Sequence, residues 1–196
     1  EGNSSTQTIT NGIDLSGEGG LVWTKIRSYT DGHTLMDSER GKSGNYYVEM
    51  GTQGTYGSQT NRPWGITSFN VDGFSLAGDN LQFNDDGRPY ASWTFRKSPG
   101  FFDVVTFSGN AAGVTVSHNL GSTPGFIVVK RTDSTSSWAC YHRFDGVSPV
   151  RLYLETTLQA FSTSGFWGTI NDTSFSMASG ATDTGATYVA YIFAHD

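Results

Sequence analysis

Short apolar runs that alternate with polar residues, and that end at Gly, Asn, Ser or Pro, fill the second half of the chain. A period of two bounded by turn residues indicates half-buried β-strands. The pattern predicts strands at residues 101–107, 113–118, 126–130, 138–143, 150–155, 174–177 and 187–194. Strands of this length and spacing are typical of a β-sandwich or jelly roll.

The first half of the chain repeats the same order of runs. The segment from Gly20 to Lys25 reads GLVWTK and matches the segment from Gly125 to Lys130, GFIVVK, at an offset of 105 residues. Further on, the Tyr-Val-Glu at 47–49 matches the Tyr-Leu-Glu at 153–155, and the Trp-Gly at 64–65 matches that at 167–168. We therefore predict an all-β fold of two tandem homologous β-sandwich modules, of jelly-roll or lectin-like type, at residues 1–97 and 98–196.

The first copy lacks its opening strand. Gly2-Asn3 matches Gly109-Asn110, so the counterpart of the strand at 101–107 would precede Glu1. A sheet edge left in this way exposes unpaired backbone groups. We expect this edge either to stay open or to be filled by a strand from elsewhere, for example from a neighbouring chain.

The charge pattern and the absence of catalytic motifs exclude several classes of function. Charged residues make up 15% of the chain, the formal net charge is −6, and no run of basic residues suits a phosphate backbone. No apolar stretch is long enough to span a bilayer. We expect no nucleic-acid partner, no membrane insertion, no catalytic residue and no cofactor. The single Cys140 is predicted to be a buried, unreactive thiol.

Most of the candidate carboxylates lie in turns, where they serve the backbone; the candidates are Asp72, Asp85, Asp86, Asp103, Asp172 and Asp183. Asp85 and Asp86 offer oxygen ligands and are weak candidates for a Ca²⁺ site, although the Asp-x-Asp-x-Asp-Gly loop is absent. The four histidines are scattered without a metal-ligand spacing. Turn formation is therefore the favoured role of these carboxylates.

Aromatic residues in two loops make carbohydrate binding a stronger candidate than metal binding. Aromatic rings cover the apolar faces of pyranoses, while polar side chains bind the hydroxyls. Tyr56 and Trp64 lie in the loop 51–64, and Phe166 and Trp167 in the loop 161–167. These four are the candidate ligand-binding residues. Core packing and a subunit interface are the alternatives for the two tryptophans, and core positions are predicted for the strand residues Trp23, Trp93 and Trp138.

The segment from Ser117 to Arg131, SHNLGSTPGFIVVKR, together with residues 138–143 and 188–196, resembles tandem modules of tail-fibre-like and other virion surface proteins of marine phages, many of which infect cyanobacteria. The resemblance covers both copies and implies a lectin-like sandwich on the virion surface, outside the cell. We expect a non-enzymatic phage structural protein, a tail-fibre or surface-appendage module that adheres to host-surface glycan, contacts other virion proteins and forms a homo-oligomer. The alternatives are a capsid decoration or assembly module without a ligand and, less favoured, a carbohydrate-active enzyme.

Overall fold

The described part of the protein consists of strands and the turns and loops that connect them. The computed structural model describes residues 1–143, 150–162 and 165–195, and these contain no helix, which confirms the all-β prediction. No described segment is therefore a helix long and apolar enough to cross a membrane. The chain divides into two compact units: unit 1 is Glu1–Gly54 with Ser58–Arg96, and unit 2 is Thr55–Gly57 with Lys97–Asp196. The division after Arg96 falls one residue before the boundary predicted from the repeat.

Unit 1 contains two larger antiparallel sheets and a short hairpin. Its strands are β1 (Gln7–Thr10), β2 (Gly20–Ile26), β3 (His33–Asp37), β4 (Lys42–Ser43), β5 (Tyr46–Tyr47), β6 (Glu49–Gly51), β7 (Gly65–Asn70), β8 (Gly73–Ala77) and β9 (Tyr90–Arg96). The sheets have the orders β6-β3-β2-β9 and β1-β8-β7, and β4 pairs with β5. The core lies between the two larger sheets, because Val22 and Met36 of one pack with Ile66 and Phe74 of the other.

Unit 2 has the same two layers. Its strands are β10 (Phe102–Ser108), β11 (Val114–Ser117), β12 (Pro124–Arg131), β13 (Ala139–His142), β14 (Val150–Tyr153), β15 (Phe161–Ser162), β16 (Trp167–Ile170), β17 (Ser174–Met177) and β18 (Thr187–Ala194). The sheet orders are β10-β18-β12-β13-β14-β15 and β11-β17-β16. Ile127 and Val129 pack with Phe175 and Met177 between them. All the strands predicted from alternation are present, each within two residues of its predicted bounds, and β15 and β16 are additional.

The strand orders of the two units correspond. The series β6-β3-β2-β9 matches β14-β13-β12-β18, and β1-β8-β7 matches β11-β17-β16. The pairing registers extend this match to single residues, which we call counterparts. For example, Trp23 lies opposite Trp93, as Val128 lies opposite Tyr191. The two units differ at the edge formed by β9 and its counterpart β18. Strand β18 pairs with β10 as well as with β12, whereas β9 pairs with β2 alone within the described ranges.

The register corrects one of the sequence matches. Glu49 lies opposite Met36, and Tyr141, the counterpart of Met36, lies opposite Arg151. The counterpart of Glu49 is therefore Arg151 and not Glu155. The offset between the copies falls from 105 to 102 in the segment before this strand, because connecting segments change length more readily than paired strands do.

Candidate functional site

The two tryptophans predicted to bind a ligand lie in the cores of their units. Trp64 is 5% exposed and packs against Phe83, with the ring centroids 6.2 Å apart. Trp167 is 4% exposed and meets Tyr141 and Phe175 edge-on, at centroid distances of 5.8 and 6.4 Å. A sugar needs an accessible ring face, so these rings serve packing, the first alternative that the sequence left open.

These two tryptophans are also not counterparts. Trp167 lies opposite Met177, which is the register position that Ile66 holds opposite Leu76. Trp64 precedes β7 and has no ladder position. The match of the two Trp-Gly pairs in sequence therefore does not follow the strand pairing, and it does not create two equivalent sites.

Tyr56 and Phe166 are more accessible. Tyr56 is 73% exposed and belongs to the segment Thr55–Gly57 of unit 2. Phe166 is half-buried, the Arg151 guanidinium lies 4.3 Å from its ring centroid, and the ring lines a cavity of about 200 Å³ that Tyr188 also lines. Residues 163–164 of the predicted second loop lie outside the described residues. Tyr56 and Trp64, predicted to share a site, fall into different units.

The other candidates for chemistry have structural roles. Asp85 pairs with Arg88 at 3.1 Å, and its backbone N–H donates to the Tyr90 hydroxyl at 3.0 Å, which accounts for the turn that also contains Asp86. Among the described residues no group of three or more His, Cys, Asp and Glu could hold a metal ion. Cys140 is buried as predicted, and burial raises the pKa of its thiol to about 12.

Three aromatic side chains of unit 1 form a partly exposed cluster that we call the aromatic platform: Trp23 of β2, His33 of β3 and Trp93 of β9. The Trp23 and Trp93 centroids are 6.3 Å apart, and His33 lies 5.6 Å from Trp23 and 6.2 Å from Trp93. The planes of His33 and Trp93 differ by only 26°. Trp93 is 47% exposed, so one large ring presents itself to solvent while its neighbours support it.

Strand geometry explains why the platform forms where it does. Side chains alternate between the two faces of a sheet. Val22 and Met36 point into the core of unit 1, so Trp23 points to the opposite face, beside its cross-strand partner Trp93. Cross-strand neighbours have Cβ atoms about 5 Å apart. A paired sheet therefore holds the rings more rigidly than a loop would.

Hydrogen bonding sets the chemical state of the platform. Trp23 Nε1–H donates to His33 Nδ1 at 2.8 Å, so a neutral imidazole carries its proton on Nε2. Partial burial, followed by the charge of Lys25, lowers the pKa of His33 below its ordinary value of 6.5. The neutral imidazole is therefore favoured, and its Nε2–H is a donor. The Lys25 ammonium donates to the carbonyl oxygens of Ile26 and Tyr29.

The sequence prediction that Trp23 and Trp93 are core residues is wrong, because Trp93 is exposed and Trp23 is half-buried on the face opposite the core. Alternation showed that Trp93 shares a face with Phe95, but it could not show whether that face is covered. The prediction for Trp138 is confirmed, since this side chain is fully buried. The signal available in the sequence was the difference between copies, because Trp23 and Trp93 have Val128 and Tyr191 as counterparts.

Comparison with known proteins identifies one family. The profile of a family described as a domain of unknown function, DUF7483, matches residues 1–196. No curated protein and no solved structure matches the chain.

Proposed function

We propose that the chain, which belongs to the DUF7483 family, is a non-enzymatic carbohydrate-binding module of a phage virion surface protein. The observation that carries this proposal is the exposed Trp93 ring, supported by Trp23 and His33 on a paired sheet. The platform offers aromatic surface and an imidazole donor, and these groups bind sugars without transforming them.

The bound group is the apolar face of a hexopyranose. It would stack on Trp93, while a ring hydroxyl accepts the His33 Nε2–H. Such a contact with one or two hydrogen bonds contributes a few kcal/mol, which corresponds to a Kd on the order of 1 mM for one site. Useful adhesion at this affinity requires several copies, since linked weak sites gain from avidity. A homo-oligomeric appendage assembled with other virion proteins, as the resemblance of residues 117–131 implies, supplies that multiplicity.

The test is a glycan-array screen with the chain displayed multivalently on beads. Trp93→Ala is the site variant, and Tyr56→Ala is the matched control because Tyr56 is an exposed aromatic residue outside the platform. We expect Trp93→Ala to abolish binding with unchanged thermal unfolding, and Tyr56→Ala to retain it. Loss of binding in Tyr56→Ala alone would move the site to unit 2, and binding to no glycan would contradict the proposal.

A second candidate function is assembly without a glycan ligand. The specific observation that favours it is the edge strand β9, whose Ser92 and Trp93 are exposed and whose ladder partner in the described ranges is β2 alone. An accessible edge of this kind is a template for pairing with another polypeptide.

A further inference from the structure

Strand β10 shows what occupies the edge of this sheet in unit 2. It pairs antiparallel with β18, with Val105 opposite Ala190 and Phe107 opposite Tyr188. Val105 and Phe107 pack against the core cluster of the unit. The Phe107 ring is stacked on Tyr188 at 5.3 Å and 16° and meets Phe175 edge-on at 6.1 Å. Strand β10 thus contributes two side chains to the core in addition to its backbone pairing.

Unit 1 has a groove at the corresponding place. The groove measures about 180 Å³ and is lined by Ile9, Phe74, Tyr90 and Ser92, among others. Tyr90 and Phe74 are the counterparts of Tyr188 and Phe175, the two rings that hold Phe107 in unit 2. The groove therefore lies where a β10-type strand would place its aromatic side chain.

The edge of β9 is also not protected against pairing. Natural edge strands are commonly blocked by proline, by a β-bulge or by inward-pointing charges. Strand β9 reads YASWTFR, contains no proline, and pairs with β2 from Tyr90 to Arg96 without a shift in register. Its single charged residue, Arg96, is the last of the strand.

We propose that β9 and this groove receive one extended strand from a partner polypeptide, antiparallel to β9, with the side-chain pattern of β10. The strand would place a β-branched residue opposite Ser92 and an aromatic residue opposite Tyr90, where the aromatic ring fills the groove against Phe74. Such binding is β-strand addition, in which the backbone supplies affinity and alternate side chains supply specificity. The inference goes beyond the glycan proposal, because it uses the core-facing side of β9, whereas the platform uses the opposite side.

The experiment uses the full chain and a fluorescent peptide with the sequence of residues 101–107, FFDVVTF, preceded by lysines for solubility; the peptide stops at Phe107 because Gly2 of the protein already makes the backbone hydrogen bonds that Gly109 makes in unit 2. We expect a micromolar Kd by fluorescence anisotropy, and binding weaker by about tenfold or more when the peptide carries Phe107→Ala. Ser92→Phe in the protein should block the groove and abolish binding. Thr10→Phe, which adds the same ring at an exposed position of β1, is the matched control and should bind normally.

Hydrogen exchange locates the bound peptide. We expect added protection of amides in 90–96 and none in 187–194. Protection of 187–194, or binding insensitive to Ser92→Phe, would mean that the peptide exchanges with β10 of unit 2 and would overturn the proposal. Absence of binding up to about 1 mM peptide would do the same, as would a dimer of the protein alone, seen by sedimentation, that Ser92→Phe dissociates. Glycan binding is measured separately with Trp93→Ala, so the two proposals can fail independently.

Discussion

In each unit, the sheet that contains β2 and β3 or their counterparts β12 and β13 has a face that points away from the core. This face looks different in the two units, although the strands correspond. In unit 1 the positions of Trp23, His33 and Trp93 form a partly exposed platform. In unit 2 the counterpart positions, Val128, Trp138 and Tyr191, are all buried. There β10 pairs with the edge of β18, and Lys130 Nζ donates at 3.0 Å to Thr55 of the added segment Thr55–Gly57. One strand arrangement can therefore present an aromatic surface or bury it, depending on what covers the sheet.

The two units share the hydrogen bonds that join these strands to their adjacent turns. Lys25 and Lys130 are counterparts, and each donates through Nζ to the carbonyl of the following residue. The Tyr90 hydroxyl accepts the N–H of Asp85, and the Tyr188 hydroxyl accepts that of Asp183, both at 3.0 Å. These contacts connect a strand to its adjacent turn, so they persist when the exposed surface changes.

Truncation of two counterpart residues should reduce the stability of the two units by very different amounts. Trp138→Ala should destabilise unit 2 by about 3–5 kcal/mol, because it leaves a cavity at a fully buried position. His33→Ala at the counterpart position of unit 1 should cost roughly 1 kcal/mol or less, since the imidazole is only partly buried. Chemical denaturation measures both. Equal losses would show that the two positions are covered to the same degree.

A second difference concerns the pH dependence of unit 1. Burial, opposed by the nearby charges of Arg62 and Arg40, raises the pKa of Glu49 to about 7 from the ordinary 4.5. The protonated carboxyl is therefore favoured in the folded state, so its stabilising effect is complete below pH 4.5 and is lost as the pH rises through 7. We expect the loss to be about 3 kcal/mol and to be absent in Glu49→Gln.

Hydrogen exchange of β2 and β3 amides across this pH range measures the loss within unit 1. The counterpart in unit 2 is Arg151, which is not a carboxylic acid, so β12 and β13 provide the internal reference. A pH dependence that Glu49→Gln leaves unchanged would assign the effect to another group.

Removal of the tyrosine hydroxyl that accepts a hydrogen bond from the adjacent turn should reduce stability only slightly in both units. Tyr188→Phe removes the acceptor of the Asp183 N–H and should cost about 1 kcal/mol. Tyr90→Phe should cost slightly more, because the Tyr90 hydroxyl also donates to Leu81 O at 2.7 Å. Denaturant unfolding of the two variants gives the comparison. A neutral Tyr188→Phe beside a costly Tyr90→Phe would show that this hydrogen bond supports only unit 1.

The strands were predictable and the candidate site was not. Alternation located the strand at 187–194 to the residue, because half-burial is a local property of a pleated strand. The same alternation ranked Trp93 with the core, since it separates two faces without showing which is covered. The choice of Trp64 and Trp167 as candidate ligand residues relied on their place in two loops, and the ladder register shows that they are not counterparts.

The all-β class, the repeated order of strands and the short turns between them follow from the local sequence, since these depend on side-chain alternation and on the backbone preferences of neighbouring residues. The exposed sheet face, the contacts between rings and the groove beside an edge are properties of the folded chain that local sequence does not show. These features depend on strands far apart in the chain, such as β2, β3 and β9 at the platform. Their contacts form only when the sheet pairs and the second layer covers one of its faces.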